Sequence, residues 1–479
     1  MRFLLLLLLA ACPLVSVQAE QARPNFVFII TDDISPDDLS VYGNAFVKTP
    51  NLEKIAQAGL VFENAYNTIS SCSPSRCSII TGRYPHNTGA PELHTKLPST
   101  QTTFVQLLKA AGYHTVISGK NHMASPEQLG FDVASTSKPA GSEKWVTHLR
   151  ERPKEKPFFC WFASLDAHHA FDIDEHAPEY TPEEIVVPPM LYDGPETRKE
   201  LTGYYHEVSR TDYYAGQVWE ELQKQGIAEN TYFIYCSDNG RPFLRCKTYL
   251  YDSGIKTPLI ITGPNVKPGR SQSFVSSIDY SATILELAGV DKPETIQGQS
   301  IVSILKDPKA TVREILFAER NWHVFQNHAR MVRMGDWLYI WNAWPNRHNV
   351  SGESSVFSFP SVKEYWEAAD AGKLNESQML LVSPIQPEEM LFRISDDPHQ
   401  LTNLATDTSY EYQMQKMRKQ LKAWENETSD SVPENPTKDR QPLHSWDKKN
   451  KMVRGQFPGA SAYAEVVNEP GPITLPKDE

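Results

Sequence analysis

Four short runs along this chain are apolar at almost every position and end in polar clusters: Phe26–Thr31, Thr115–Ser118, Phe158–Ser164 and Tyr232–Cys236. Runs of this length without strict alternation predict strands buried on both faces, as in a parallel sheet. Helical periodicity lies between them. Thr103–Ala111 closes at Gly112, and a longer pattern from about Tyr205 to Gln225 closes at Gly226, where a left-handed cap suits glycine. Strands alternating with helices predict an α/β domain with a large, mostly parallel sheet flanked by helices. From about Val312 the texture changes to aromatic-rich stretches such as Trp337–Trp341 and a final amphipathic pattern around Tyr410–Trp424. A smaller C-terminal α+β domain, an antiparallel sheet plus a helix, is expected there. The tail from Ser429 is rich in Pro, Lys and Asn and is expected to wrap irregularly over the surface.

Composition adds an address. Arg2, the apolar run Phe3–Ala11 and a small-residue end at Ala19 have the layout of a secretory signal peptide, so the expected division is 1–19, 20–311 and 312–479. Export to the periplasm or beyond the cell is expected. Leu9-Ala10-Ala11-Cys12 also has the form of a lipoprotein cleavage box, although Pro13 and the short run before it argue against that use. No run is long enough to span a bilayer, which takes ~20 apolar residues. The net charge of −12, or −13 once Arg2 is lost, disfavours nucleic acid and anionic membranes as partners. Five cysteines then remain, at 72, 77, 160, 236 and 246. An odd, sparse set of this kind is no disulfide framework, and it leaves at least one thiol chemically special.

The polar residues that close each apolar run are more informative: Asp32-Asp33 after the first, Lys120 and His122 after the second, Asp166 and His168 after the third, Asp238-Asn239 after the fourth. Parallel sheets gather ligands outside the carboxyl ends of their strands, so all four clusters should share one edge. Asp32, Asp33, Asp238 and Asn239 are an all-oxygen set that suits calcium or magnesium and not zinc. Either pair alone would read as a solvated turn. Lys120, His122, His168, Lys247 and Arg76 supply positive charge for an anionic substrate. Cys72-Ser73-Pro74-Ser75-Arg76, followed by Thr81-Gly82-Arg83, stands apart from the strand pattern. Its plain alternatives are a Cys72–Cys77 disulfide or a buried thiol.

Taken together these strings resemble the formylglycine-dependent sulfatases of the alkaline-phosphatase superfamily, from about Arg23 to about Ser429. Arg23-Pro24-Asn25, Gly119-Lys120 and the stretch Leu391–His399 also fit, while Asp166-Ala167-His168 has alanine where the family pattern has proline. Ser237–Phe243 and Cys72–Ser78 are most similar to heparan N-sulfatases. Lys247, however, stands where those members carry arginine, lysine being the commoner residue there in O-sulfatases. The resemblance implies that a maturation enzyme oxidises Cys72 to formylglycine. It implies one calcium ion, magnesium being the alternative, held by Asp32, Asp33, Asp238, Asn239 and the residue at 72. Arg76, Lys120, His122, His168 and Lys247 would then be catalytic, and the substrate a sulfated oligosaccharide. The sulfate would be an O-ester of a marine or host glycan, with N-sulfoglucosamine as the alternative. A phosphatase or phosphonate hydrolase on the same fold, or a glycan-binding protein with an unconverted Cys72, would share much of the pattern. Glu319–His323 and Trp337–Trp344 are expected to line the outer pocket, with Trp322, Trp341 and Trp344 as sugar platforms or core residues.

Overall fold

The computed structural model describes residues 23–350, 359–442 and 450–475. The leader and Cys12 lie outside them. Strands β1 (Asn25–Thr31), β2 (Leu60–Tyr66), β3 (His114–Gly119), β4 (Val133–Ser135), β5 (Phe158–Ala163), β6 (Thr231–Ser237), β7 (Leu259–Thr262) and β8 (Gly269–Ser276) form one sheet in the spatial order β4-β3-β5-β1-β6-β7-β2-β8. The four apolar runs are its centre, since β3, β5, β1 and β6 lie side by side and parallel. Every residue of β1, β5 and β6 is buried. Phe26, Phe28 and Ile30 feed the core on one face of the sheet, and Val27 and Ile29 the core on the other, as the two-residue period requires. The exception to parallel order is β7, which runs antiparallel to both β6 and β2.

The long helix spans Pro195–Lys224 and begins ten residues before the expected Tyr205. Its first turns, Pro195-Glu-Thr-Arg-Lys-Glu200, are mostly polar and carry no apolar stripe. Pro195 starts the helix instead, at a position where its missing N–H costs no hydrogen bond. The shorter helix Phe104–Ala110 matches its pattern and is capped by Thr103, whose hydroxyl accepts from Gln106 N–H.

A second sheet, wholly antiparallel, has the order β12-β11-β10-β9, built from β9 (Ile315–Arg320), β10 (Ala329–Met334), β11 (Trp337–Asn342) and β12 (Glu389–Arg393). The helix Glu411–Thr428 packs Met414, Met417, Leu421 and Trp424 onto it. Trp424 is fully buried, stacked on Phe317 and edge-on to Tyr84 and His86. The described tail returns to the large sheet's side of the molecule. Arg83 donates to the carbonyls of Glu465 and Val467 and to Asn468, and Asn87 donates to the carbonyl of Ala464. Among the described residues no helix is long and apolar enough to cross a membrane.

Candidate active site

β1 delivers Asp32-Asp33 and β6 delivers Asp238-Asn239 from adjacent strand ends, so the four oxygen-bearing side chains converge and all are fully buried. Gly240 makes the turn after them possible. A Cβ there would fall 2.0 Å from the carbonyl of Ser253, which is backbone and cannot move aside. Cys72 arrives from a different direction, as the first residue of the helix Cys72–Thr81, where the backbone dipoles favour negative charge. Asp32, Cys72 and Asp238 each offer a ligand atom within 4.8 Å of the others. Buried Asp32 Oδ1 and Asn239 Oδ1 have no hydrogen-bond partner among the described residues. Orphaned oxygens of this kind are costly unless something electropositive occupies the space between them. The donor set therefore fits a hard divalent cation.

Around this cradle the basic residues clasp the carboxylates. Lys120 Nζ pairs with Asp32, Lys247 Nζ lies 2.8 Å from Asp33, and Arg76 Nε donates to Asp238 at 2.8 Å. Arg76 sits one turn after Cys72 on the same helix, which places both on one face. Burial would raise all three aspartates. Lys120, with His168, Arg76 and Lys247, overcomes that for Asp32 and holds it well below the usual carboxylate range. Asp33 stays raised and Asp238 is pushed up to about 7, burial outweighing their cationic neighbours. Burial also pushes the Cys72 thiol well above its ordinary value. A thiolate nucleophile is thereby disfavoured. No disulfide joins the five described cysteines, all of them buried, which removes the Cys72–Cys77 bridge.

The remaining candidates line a cleft of about 860 Å³ that opens over Asp32 and includes Lys120, His122, His168 and Glu207. His168 is half-buried and lines the cleft with Asp32 and Lys120, whereas His169 is buried. His169 is packed among Phe171, Phe243 and Phe359. The turn carrying His168 is stitched to β1 by backbone bonds, Asp32 N–H to Asp166 carbonyl and Ala167 N–H to Asp32 carbonyl. Asp166 itself stays out of the cradle and accepts both arms of Arg210, at 2.7 and 2.8 Å.

Arg210 also holds Asp174 and Glu207, a buried network that the residue pattern does not announce, because Glu207 and Arg210 sit mid-helix, where charges usually mark a solvated face. Burial and the nearby Asp166 push the Glu207 carboxyl up to about 9. The folded protein therefore keeps a proton there that the unfolded chain releases in the ordinary carboxylate range. Stability should fall as pH rises from that range towards 9. Glu207→Gln is expected to raise the melting temperature at pH 8 by a few degrees, at roughly 2–4 °C per kcal/mol, with little change at pH 5; equal shifts at both pH values would contradict a protonated Glu207.

The second-sheet stretches lie apart from this cleft. No residue of Glu319–His323 or Trp337–Trp344 lines the cleft. Glu319 is tied to His86 at 2.6 Å, Trp322 is 2% exposed with its indole N–H on the Lys438 carbonyl, and Trp341 lines a separate groove with Tyr339, Glu389 and Arg418. Glu319 and Trp322 are also tied by backbone bonds to Thr68 and Leu93, in the segments that flank Cys72 and His94. His323 alone approaches the nucleophile, its Nδ1 lying 2.8 Å from the Ser71 hydroxyl.

A largely parallel sheet with an anionic cradle, an encircling set of cations and a helix-borne residue at its centre is built to take an anionic substrate. The sulfatase family profile matches residues 24–290, and the chain belongs to the sulfatase family. It is 27% identical over 455 residues to an ulvan-active sulfatase of Formosa agariphila, covering 84% of this chain and 74% of that one. It is 28% identical over 515 residues to N-sulphoglucosamine sulphohydrolase of Homo sapiens, covering 92% and 98%. A solved structure in complex with its substrate D-glucosamine-2-N,6-O-disulfate superposes with a TM-score of 0.66 at 20% identity, over 84% of this chain and 98% of that one. The phosphonate monoester hydrolase of Agrobacterium radiobacter shares the fold, with a TM-score of 0.64 at 18% identity over 86% and 98% of the two chains.

Proposed function

We propose that this sulfatase removes O-sulfate from a sulfated saccharide, using formylglycine made from Cys72 and one calcium ion, in an exported location. The observation that carries the reading is the convergence of Asp32, Asp33 and Asp238 on Cys72 beside a cleft that Lys120, His122 and His168 line. Formylglycine would supply a hydrated aldehyde oxygen as nucleophile, and calcium would neutralise the carboxylates and draw sulfate oxygens to the site.

The chain's own residues do the rest. Lys120 and Lys247 present ammonium groups where charge builds on the sulfate. Arg76 holds Asp238 in place and keeps the field at residue 72 positive. His168 protonates or steadies the leaving atom. His122 takes the proton that must leave the oxygen at residue 72. Burial, with Lys120, holds its pKa down to about 2, so the ring rests neutral.

Likeness to N-sulphoglucosamine sulphohydrolase over nearly the whole of both chains favours N-sulfoglucosamine as the second reading. A two-metal phosphatase is disfavoured, since the described residues hold one metal-binding group only.

The test is sulfate release from a panel pairing N-sulfoglucosamine and heparan fragments with O-sulfated ulvan and carrageenan oligosaccharides, after co-expression with a maturation enzyme. Release from the O-sulfated members alone supports the first reading, release from N-sulfoglucosamine alone the second, and phosphate release without sulfate release overturns both. Chelation with EGTA is expected to abolish turnover and lower the melting temperature, with calcium restoring both. A stability of about 2.7 kcal/mol goes with saturation at a hundredfold excess over Kd. Unchanged activity and melting temperature in EGTA would remove the calcium.

A further inference from the structure

His94 lies in the loop after the Cys72–Thr81 helix, twenty-two residues beyond Cys72, and no strand or helix pattern singles it out. In the folded protein its Nδ1 is 2.7 Å from His122 Nε2, with ring centroids 4.8 Å apart. Both residues reach this contact through left-handed backbone, φ 61° at His94 and 59° at His122, a conformation that L-residues adopt at a cost and that the surrounding structure must enforce. The His94 N–H is in turn held by the Ser73 hydroxyl at 2.8 Å, which ties the loop to the turn bearing Cys72.

A 2.7 Å contact between two imidazole nitrogens needs one proton between them, so one ring donates and the other accepts. If His94 donated, His122 would carry its own N–H on Nδ1, a buried atom with no acceptor among the described residues. That N–H would also sit in the field of Lys120 and Arg76. If His122 donates from Nε2, its Nδ1 is a bare lone pair, which the same cations favour. The second arrangement leaves no buried donor unsatisfied.

We infer that His94 is a positioning residue for His122, accepting its Nε2–H and so fixing Nδ1 as its basic nitrogen. The inference rests on the reading of His122 as the base that accepts the proton from residue 72. When Nδ1 takes that proton, the Nε2–H bond to His94 remains and steadies the imidazolium, the service that an orienting partner performs for a catalytic histidine elsewhere.

The test uses the full-length mature enzyme with His94→Asn and His94→Ala. Asparagine places a carbonyl oxygen near the position of Nδ1 and tolerates left-handed backbone, so it keeps both the acceptor and the fold. Long-range spectra of [15N]histidine-labelled protein, assigned against His122→Ala, read the tautomer directly and need no turnover. The expected result is Nε2–H on His122 in the wild type and in His94→Asn, and a mixture in His94→Ala. On the substrate that the panel identifies, His94→Ala should lose roughly 10–100-fold in kcat with KM changed by less than about threefold, and His94→Asn should restore most of it.

An Nδ1–H tautomer in the wild type overturns the inference, as does a His94→Ala enzyme with unchanged kcat. A loss shared equally by both variants, or one confined to KM, also overturns it. Undiminished sulfate release by His122→Ala would instead remove the base reading on which the inference rests, so the two failures are distinguishable.

Discussion

Replacing Cys72 with alanine is expected to lower sulfate release by roughly 10⁴-fold or more, because a group acting as nucleophile cannot be replaced by its surroundings. The protein should remain folded. Cys72 is completely buried at the start of its helix, and its removal deletes a single sulfur from a site held together by the charged and amide groups of the cradle and its clasp. The loss should therefore appear in kcat, with the melting temperature within a few degrees of wild type. Sulfate release by the alanine variant at the wild-type rate would take residue 72 out of the chemistry and leave only the cation and the bases as candidates.

Arg210→Met should be the most damaging change to the fold near the site. Arg210 is fully buried and neutralises Asp166, with further bonds to Asp174 and Glu207. Methionine preserves much of the volume but strands Asp166 and Asp174 without their counter-charge and removes a donor from Glu207. Breaking one side of a buried ion pair costs about 3–5 kcal/mol, which a lowered urea midpoint would show. Arg210→Lys should cost less, keeping the charge and losing the two-armed bond to Asp166. Asp166 lies two residues before His168, and its carbonyl holds the Asp32 N–H. Whatever activity the methionine variant retains should then be reduced as well. A methionine variant as stable as wild type would mean the network contributes nothing net to the fold.

The centre of the fold was legible because a strand covered on both faces must be apolar throughout, and β1, β3, β5 and β6 are the strands so covered. The edges were not. β8 reads Gly-Arg-Ser-Gln-Ser-Phe-Val-Ser with its first half largely exposed, and β4 is only three residues long, so neither carries a hydrophobic signature. At the site the aspartates and Lys120 could be placed in advance, since the end of a buried parallel strand is where polar side chains first become possible. Arg210, Glu207 and His94 could not. Two of them are charges in a helix that ordinarily mark a wet surface, and the third is a loop residue whose meaning depends on a backbone conformation that no residue pattern announces. The Trp337–Trp344 stretch could be read either as sugar platforms or as core, and the antiparallel sheet places Tyr339 and Trp341 along a groove separate from the cleft.

Burial of Cys72 sets an order of events. No part of the folded thiol reaches the surface, and the tail bound at Arg83 closes over the far end of the same helix. On the proposed conversion of Cys72 to formylglycine, the oxidising enzyme would have to meet this segment while the chain is still open, and a molecule that folds with its thiol intact would have missed its chance. Two chains of identical sequence would then differ for life according to what happened in the interval before closure. Specific activity would count how many molecules were converted in time, and longer incubation of the folded protein with the maturation enzyme would leave that count unchanged.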